Sequence, residues 1–223
     1  MKRPCLLLTP GLVSYTQGWD WPKQIQQRKI QDSQHPDVLF LVEHPPVYTL
    51  GQGSDPEFVK FAPGTFELHR TERGGEVTYH GPGQLVGYPV LDLRAYRQDL
   101  HWYLRQLEEV LIRTLSHLDI TGERVAGLTG VWVKGYKVAA IGIKVSRWVT
   151  LHGFALNVTT DLRAFEVIVP CGLTQPVGRV EQFCPGVSPA DLIPLIATSF
   201  AEVFGVDLQL VPLAQVIALP VPQ

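Results

Sequence analysis

Hydrophobic and polar residues recur along this chain with two periods, and the changes between them mark its elements. Val38-Leu39-Phe40-Leu41-Val42 is an unbroken, partly β-branched apolar run, the pattern of a buried strand. His44-Pro45-Pro46 ends it, and Val47–Leu50 resumes extended structure before Gly51. A Gly-rich passage follows, in which Gly74-Gly75 and Gly81-Pro82-Gly83 bracket a short segment from Val77 to His80 and lead into a strand over 85–91. From Asp99 the period becomes helical. Leu100, Leu104, Leu107, Leu111, Leu115 and Leu118 share one face, while Arg105, Glu108, Glu109 and Arg113 fall mostly off it. Val131-Trp132-Val133, the turn Lys134-Gly135-Tyr136 and residues 138–143 predict a β-hairpin, and a strand over about 149–158 is expected to pair with its second arm. Ser188-Pro189 reads as an N-cap with proline at the first helical position, opening a helix that reaches Phe204 and stops at Gly205, with Pro194 as a possible kink.

Strands on both sides of a long helix, joined by hairpins, predict an α+β fold: a mixed, largely antiparallel sheet with packed helices, not a doubly wound parallel one. Glycine (20) and proline (18) are scattered as turns, so residues 1–223 are expected to form a single domain. Leu6-Leu7-Leu8, cut short by Thr9-Pro10-Gly11, is too brief for a signal-peptide core, and no apolar run reaches the ~18 residues of a membrane helix. The expectation is a cytoplasmic protein with no membrane partner.

Composition narrows the chemistry. An apolar fraction of 45% with 18% charged residues excludes a disordered chain, and a net charge of −2 removes the electrostatic case for a nucleic-acid binder. Three cysteines without a CxxC encode neither a disulfide framework nor a zinc knuckle. Cys5 is expected in a frayed N-terminus and Cys184 before a Pro-Gly turn. The P-loop, HExxH and GxSxG motifs are absent, and Gly81-Pro82-Gly83 with Gly87 misses the dinucleotide spacing.

What remains is Pro170-Cys171-Gly172, a thiol on constrained backbone at the end of an apolar run. Cys171 is either a small buried apolar residue or a nucleophile. The second reading requires a group that favours the thiolate, since a free thiol titrates near 8.5 and lowering it by about two pH units takes roughly 2.7 kcal/mol. Lys137, at the head of an apolar strand, could supply this as a partly desolvated ammonium, or could simply be a solvated hairpin lysine. His80 and His152 are rival partners, or structural histidines. Arg73 and the neighbouring glycines could lay main-chain N–H groups over a ligand, or form two tight turns. Ala139, Ala140, Gly142, Gly153 and Ala155 leave room along two strands for a linear apolar chain or for dense packing.

Arg73–Leu85 (RGGEVTYHGPGQL), Lys137–Val158 (KVAAIGIKVSRWVTLHGFALNV), Ile168–Leu173 (IVPCGL) and Leu41–Gly51 (LVEHPPVYTLG) together resemble the lipoyl(octanoyl) transferases, in order and spacing, over roughly residues 10–205. The resemblance implies a fold similar to the catalytic domain of lipoate and biotin protein ligases, and an acyltransferase that uses no cofactor. It implies that octanoyl passes from an acyl carrier protein to a lysine of a lipoyl domain, those of 2-oxoacid dehydrogenase complexes and the glycine cleavage H protein being the acceptors. Cys171 would carry the acyl thioester, and Lys137 would lower its pKa. Arg73, Gly74, Gly75, Glu76, Val77, Thr78, Tyr79, His80, Ala140, Ile141, Gly142, His152, Gly153, Phe154 and Ala155 would line the acyl site. Lys144 and Arg147, with Lys134 and Arg179 behind them, are candidates to receive an acidic carrier. Two other readings stand beside this one: an ATP-dependent lipoate ligase on the same fold, and a non-catalytic acyl- or carrier-binding module.

Overall fold

In the computed structural model, which describes residues 2–168 and 176–217, the chain begins with β1 (Arg3–Leu12), α1 (Tyr15–Gln31), β2 (Asp37–Glu43), β3 (Val47–Leu50), β4 (Leu68–Arg70), β5 (Val77–His80) and β6 (Gln84–Val90). There follow α2 (Leu100–Ser116), β7 (Val131–Val133), β8 (Tyr136–Ser146), β9 (Val149–Asn157), α3 (Pro189–Phe204), β10 (Val206–Leu210) and α4 (Leu213–Ile217). Among the described residues one sheet has the order β10-β1-β2-β6-β9-β8-β7 and a smaller one the order β4-β3-β5. In the larger sheet β1 is parallel to β10 and β2, and every other pairing is antiparallel. This is the mixed, mainly antiparallel α+β arrangement that the pattern predicts.

Period-two alternation sorts the side chains of the large sheet onto two faces. Leu39, Leu41, Leu85 and Leu156 pack with Leu107 and Leu111 of α2 and Ile196 and Phe200 of α3. Val38, Phe40, Val42, Val86 and Tyr88 point the other way and meet Ile25 of α1 and Val216 of α4. Each fully buried aliphatic or aromatic side chain contributes about 1.5–3 kcal/mol relative to exposure, so these two layers hold the sheet in place. No helix among the described residues is long and apolar enough to cross a membrane.

The hairpin turn is shorter than expected. Lys134 (φ +49°) and Gly135 (φ +83°) form it alone, so Tyr136 already belongs to β8. In α3, Ser188 donates its N–H (2.9 Å) and hydroxyl (2.6 Å) to Asp191, Pro194 is accommodated, and Gly205 closes the helix at φ +66°. The stripe of α2 is rotated from the leucine line: Tyr103 and Val110 are buried, and Leu100 is 44% exposed. Glu108, expected off the apolar face, is fully buried because Arg105 (2.6 Å), Arg124 (3.0 Å) and the Gly130 N–H (3.2 Å) all donate to it. The strand that holds Cys5 is not frayed. Cys5 is fully buried in β1 between β10 and β2, and burial pushes its thiol up, away from reactivity.

Candidate active site

A cavity opens over β6, β9 and β8, on the face of the large sheet that also carries α1. Cross-strand pairing lays its floor. Ala140 of β8 faces Ala155 of β9, which faces Val86 of β6, and in the next row Gly142 faces Gly153. Small residues at successive positions on one face leave a trough where branched side chains would fill the sheet surface. Tyr15, Thr78, His80, Tyr88 and His152 form its walls, and Ile141 and Phe154 border it. Ala139 points to the opposite face, into the main core.

The Gly-rich loop is the roof. The Gly74 N–H donates to the Ile143 carbonyl (2.9 Å), and a β-carbon on Gly142 would lie 3.0 Å from the Gly74 carbonyl oxygen. Glycine at 142 is what lets the loop cross β8 so closely. Arg73 is buried and donates to the carbonyls of Thr49 (2.9 Å), Gly74 (3.0 Å) and Glu76 (2.8 Å) and to the Thr49 hydroxyl (2.9 Å). Its guanidinium therefore staples the loop to β3 while bordering the cavity. Glu76, Val77 and Tyr79 do not line the cavity. Val77 and Tyr79 belong to the core of the small sheet, with Tyr48 and Phe165.

The histidines are held neutral and oriented. His80 Nδ1 lies 2.7 Å from Gln84 Oε1, and the Gln84 amide donates to the Tyr79 carbonyl (3.1 Å) and Asn157 Oδ1 (2.9 Å). With both amide hydrogens used, Gln84 Oε1 accepts and His80 carries its proton on Nδ1. Burial pushes the His80 imidazole down to about 3, and its ring stacks on Tyr15 with centroids 5.8 Å apart. His152 has φ +60°, is 3% exposed and is lowered by burial; its Nε2 stands 3.7 Å from Glu72 Oε2. Glu72 is held down to about 2, chiefly by His152, with the Trp19 indole N–H donating at 3.2 Å. Behind the wall, His44 Nδ1 donates to the Val13 carbonyl (2.9 Å), so its Nε2 accepts from the Tyr88 hydroxyl (2.8 Å).

Lys137 lies outside the cavity, three residues from Ala140 along β8 and half-buried. Its N–H donates to the Pro176 carbonyl (2.9 Å), and its carbonyl accepts the Gly178 N–H (2.9 Å). The ammonium sits 5.3 Å from the centroid of Trp132, a cation–π distance. Cys171 lies outside the described residues. Lys144 and Arg147 are toward the far end of β8, Lys144 seven residues and so roughly 23 Å from Lys137. Lys134 and Arg179 flank Lys137 instead, in the hairpin turn and next to Gly178.

Tyr15, Tyr88, His44 and Glu72 were not foreseen. Ser14-Tyr15-Thr16-Gln17 is a capping-box pattern, realised at the start of α1, and it was the signal for Tyr15. Tyr88 and Val86 follow from period-two alternation in β6 once Gln84 is known to face the site.

The model of the lipoyl protein ligase A/B catalytic domain matches residues 14–201. Octanoyltransferases of Gloeobacter violaceus and Synechocystis are 64% and 60% identical, each alignment covering 91% of this chain and 91% and 90% of theirs. Among solved structures, lipoate-protein ligase A bound with ATP superposes with a TM-score of 0.74 at 18% identity, covering 98% of this chain and 92% of that one. A bipartite lipoate protein ligase of Thermoplasma acidophilum gives 0.72 at 18% over 97% and 89%, and biotin protein ligase of Aquifex aeolicus gives 0.51 at 10% over 92% and 70%. At those identities the structures speak for the fold, whereas the sequence relatives are close along nearly the whole chain. The chain belongs to the lipoyl protein ligase A/B catalytic-domain family and, within it, to the octanoyltransferases.

Proposed function

We propose that the protein moves an octanoyl group from the phosphopantetheine thioester of an acyl carrier protein to a lysine amine of a lipoyl domain, through a thioester on Cys171. The cavity carries this reading: a trough floored by Ala140, Gly142, Gly153 and Ala155 that runs along the strand bearing Lys137. Burying the roughly six methylenes of an octanoyl tail there supplies about 5 kcal/mol at ~0.8 kcal/mol each. Arg73, Gly74, Gly75, Thr78, His80 and His152 bound the acyl site, and Glu76, Val77 and Tyr79 support it.

The chemistry needs no external energy. Exchange of one thioester for another is nearly isoenergetic, and aminolysis to an amide is downhill. The Cys171 thiolate attacks the donor carbonyl, and the departing phosphopantetheine thiolate takes a proton from the Lys137 ammonium. The lysine amine of the acceptor then attacks the Cys171 thioester, its proton passes to Lys137, and the thiolate–ammonium pair is restored. Neutral His80 and His152 orient the site. Donor and acceptor use it in turn, which gives ping-pong kinetics.

The acceptors are the lipoyl domains of 2-oxoacid dehydrogenase complexes and the glycine cleavage H protein, in the cytoplasm. An acidic carrier approaches on the side of Lys134 and Arg179, because Lys144 and Arg147 stand at the wrong end of β8. The test is transfer from octanoyl-carrier protein to a lipoyl domain without ATP, with Cys171→Ser and Lys137→Ala expected to lose about 10²–10⁴-fold. Product that forms only with ATP would instead indicate an adenylating ligase. Binding without product would indicate a carrier-binding module.

A further inference from the structure

Gln84 and Asn157 form a buried polar pair on an otherwise apolar stretch of sheet. They are 2% and 5% exposed and face each other directly across β6 and β9. Their row follows Val86–Ala155–Ala140 on the same face, in the direction away from Gly142 and Gly153, which is the end of β8 that carries Lys137. All four polar atoms of the two side-chain amides have partners. His80 Nδ1–H donates to Gln84 Oε1, Gln84 Nε2 donates to the Tyr79 carbonyl and Asn157 Oδ1, and Asn157 Nδ2 donates to the Gly178 carbonyl (3.0 Å). Gly178 in turn donates its N–H to the Lys137 carbonyl.

A continuous hydrogen-bonded path thus runs from the cavity wall, through two side chains, to the main chain of Lys137. Every orientation along it is fixed by its neighbour, since reversing either amide would set two donors or two acceptors against each other. A pair of amides costs more to bury than the leucines or valines that alternation would admit at these positions, unless every group is bonded. The path ends on Gly178, in the segment 176–178 that brackets Lys137 from both its N–H and its carbonyl.

We infer that Asn157 is a positioning residue for Lys137: from β9 in the cavity floor it anchors the 176–178 segment that brackets the Lys137 main chain. This deepens the proposed function and rests on the reading that Lys137 promotes the Cys171 thiolate. Without the Asn157 bond the 176–178 segment no longer holds the Lys137 main chain from both sides, and a displacement of the ammonium by about 1 Å costs on the order of 10²-fold in turnover.

The experiment is the pH dependence of Cys171 alkylation, read by peptide mapping so that Cys184 does not contribute, in wild type, Lys137→Ala, Asn157→Leu and Asn157→Ser. Leucine keeps the volume without bonds or charge, and serine keeps the site polar if leucine fails to fold. The expected result is a midpoint raised toward the ordinary thiol value of about 8.5 in Lys137→Ala and in the Asn157 variants. The Asn157 variants should also lose about 10²-fold in kcat, with the KM for the octanoyl donor within threefold of wild type. A wild-type midpoint in folded Asn157 variants, with a raised one in Lys137→Ala, overturns the inference alone. An unshifted midpoint in Lys137→Ala overturns the reading beneath it.

Discussion

Gly153 lies so close to Pro89 that a β-carbon on it would sit 2.5 Å from the proline Cδ. Pro89 is the next-to-last residue of β6, inside the sheet, where a residue without an N–H is tolerated only if the neighbouring strand deviates. β9 does so. Its ladder with β6 holds as far as Gly87–Phe154 and is taken up again by the Thr150 N–H, which donates to the Leu91 carbonyl (2.9 Å), and by the Thr150 hydroxyl, which donates to the Pro89 carbonyl (2.8 Å). Between them His152 adopts φ +60° and borders the cavity. Gly153→Ala should therefore cost about 1–3 kcal/mol in chemical denaturation by overpacking, and should weaken acyl binding as His152 is displaced. Stability within 0.5 kcal/mol of wild type, a level roughly that of a neutral surface change, would contradict this.

Gly142→Ala meets softer resistance, 3.0 Å to the Gly74 carbonyl oxygen and 3.3 Å to Arg73 Cδ. The expected outcome is a small stability change and a shallower trough. If the acyl tail runs from the Lys137 end toward Gly142, kcat/KM for an octanoyl donor should fall about 10-fold and that for a hexanoyl donor much less. Equal losses for the two donors would place the tail in the opposite direction.

Acid sensitivity follows from His80. An unfolded histidine titrates near 6.5, but in the fold burial holds this one down to about 3. Below 6.5 the unfolded chain binds a proton that the folded protein refuses, so stability is complete above 6.5 and falls as the pH drops toward 3. At pH 5 the loss from this residue is about 2 kcal/mol. Glu72 adds a second loss between the ordinary carboxylate value of 4.5 and about 2, as its folded-state preference for ionisation disappears. His80→Asn keeps an N–H donor toward Gln84 and should flatten the fall in denaturation midpoint between pH 7 and 5. An undiminished slope would show that the titration lies elsewhere.

Gly130, at φ +142°, packs against the stem of Lys137: a β-carbon there would lie 2.8 Å from Lys137 Cε and 2.6 Å from the Ala139 carbonyl oxygen. Gly130→Ala should displace the lysine and slow single-turnover acylation by about 10²-fold, the cost of roughly 1 Å of misplacement. Acylation at the wild-type rate in the folded variant would show that Lys137 does not need this support.

The strands β2, β3, β6, β8 and β9 and the helices α2 and α3 were legible because each buries an unbroken or periodic apolar set. α1 was not, because its buried face mixes Tyr15, Pro22 and Ile25 with polar residues: Gln26 donates to the Val149 carbonyl (2.9 Å), and Lys29 pairs with Asp37 at 2.7 Å with both fully buried. Such a helix has no unbroken apolar stripe to read. β1 was hidden by Thr9-Pro10-Gly11, which looks like a break. In the fold the strand passes through it because the register with β2 shifts between Leu8 and Gly11 and pairing with β10 ends at Leu7. The cavity floor was legible from its small residues. The roles of Gln84 and Asn157 were not, since one amide in a strand signals nothing until the register sets it opposite another.

The most direct measurement is the intact mass of the protein after mixing with octanoyl-carrier protein in the absence of ATP and acceptor. The account predicts one octanoyl adduct, labile to hydroxylamine, mapped to Cys171 and discharged when a lipoyl domain is added. Octanoylated lipoyl domain formed at full rate by Cys171→Ala, or a wild-type protein that never carries the adduct, would contradict it.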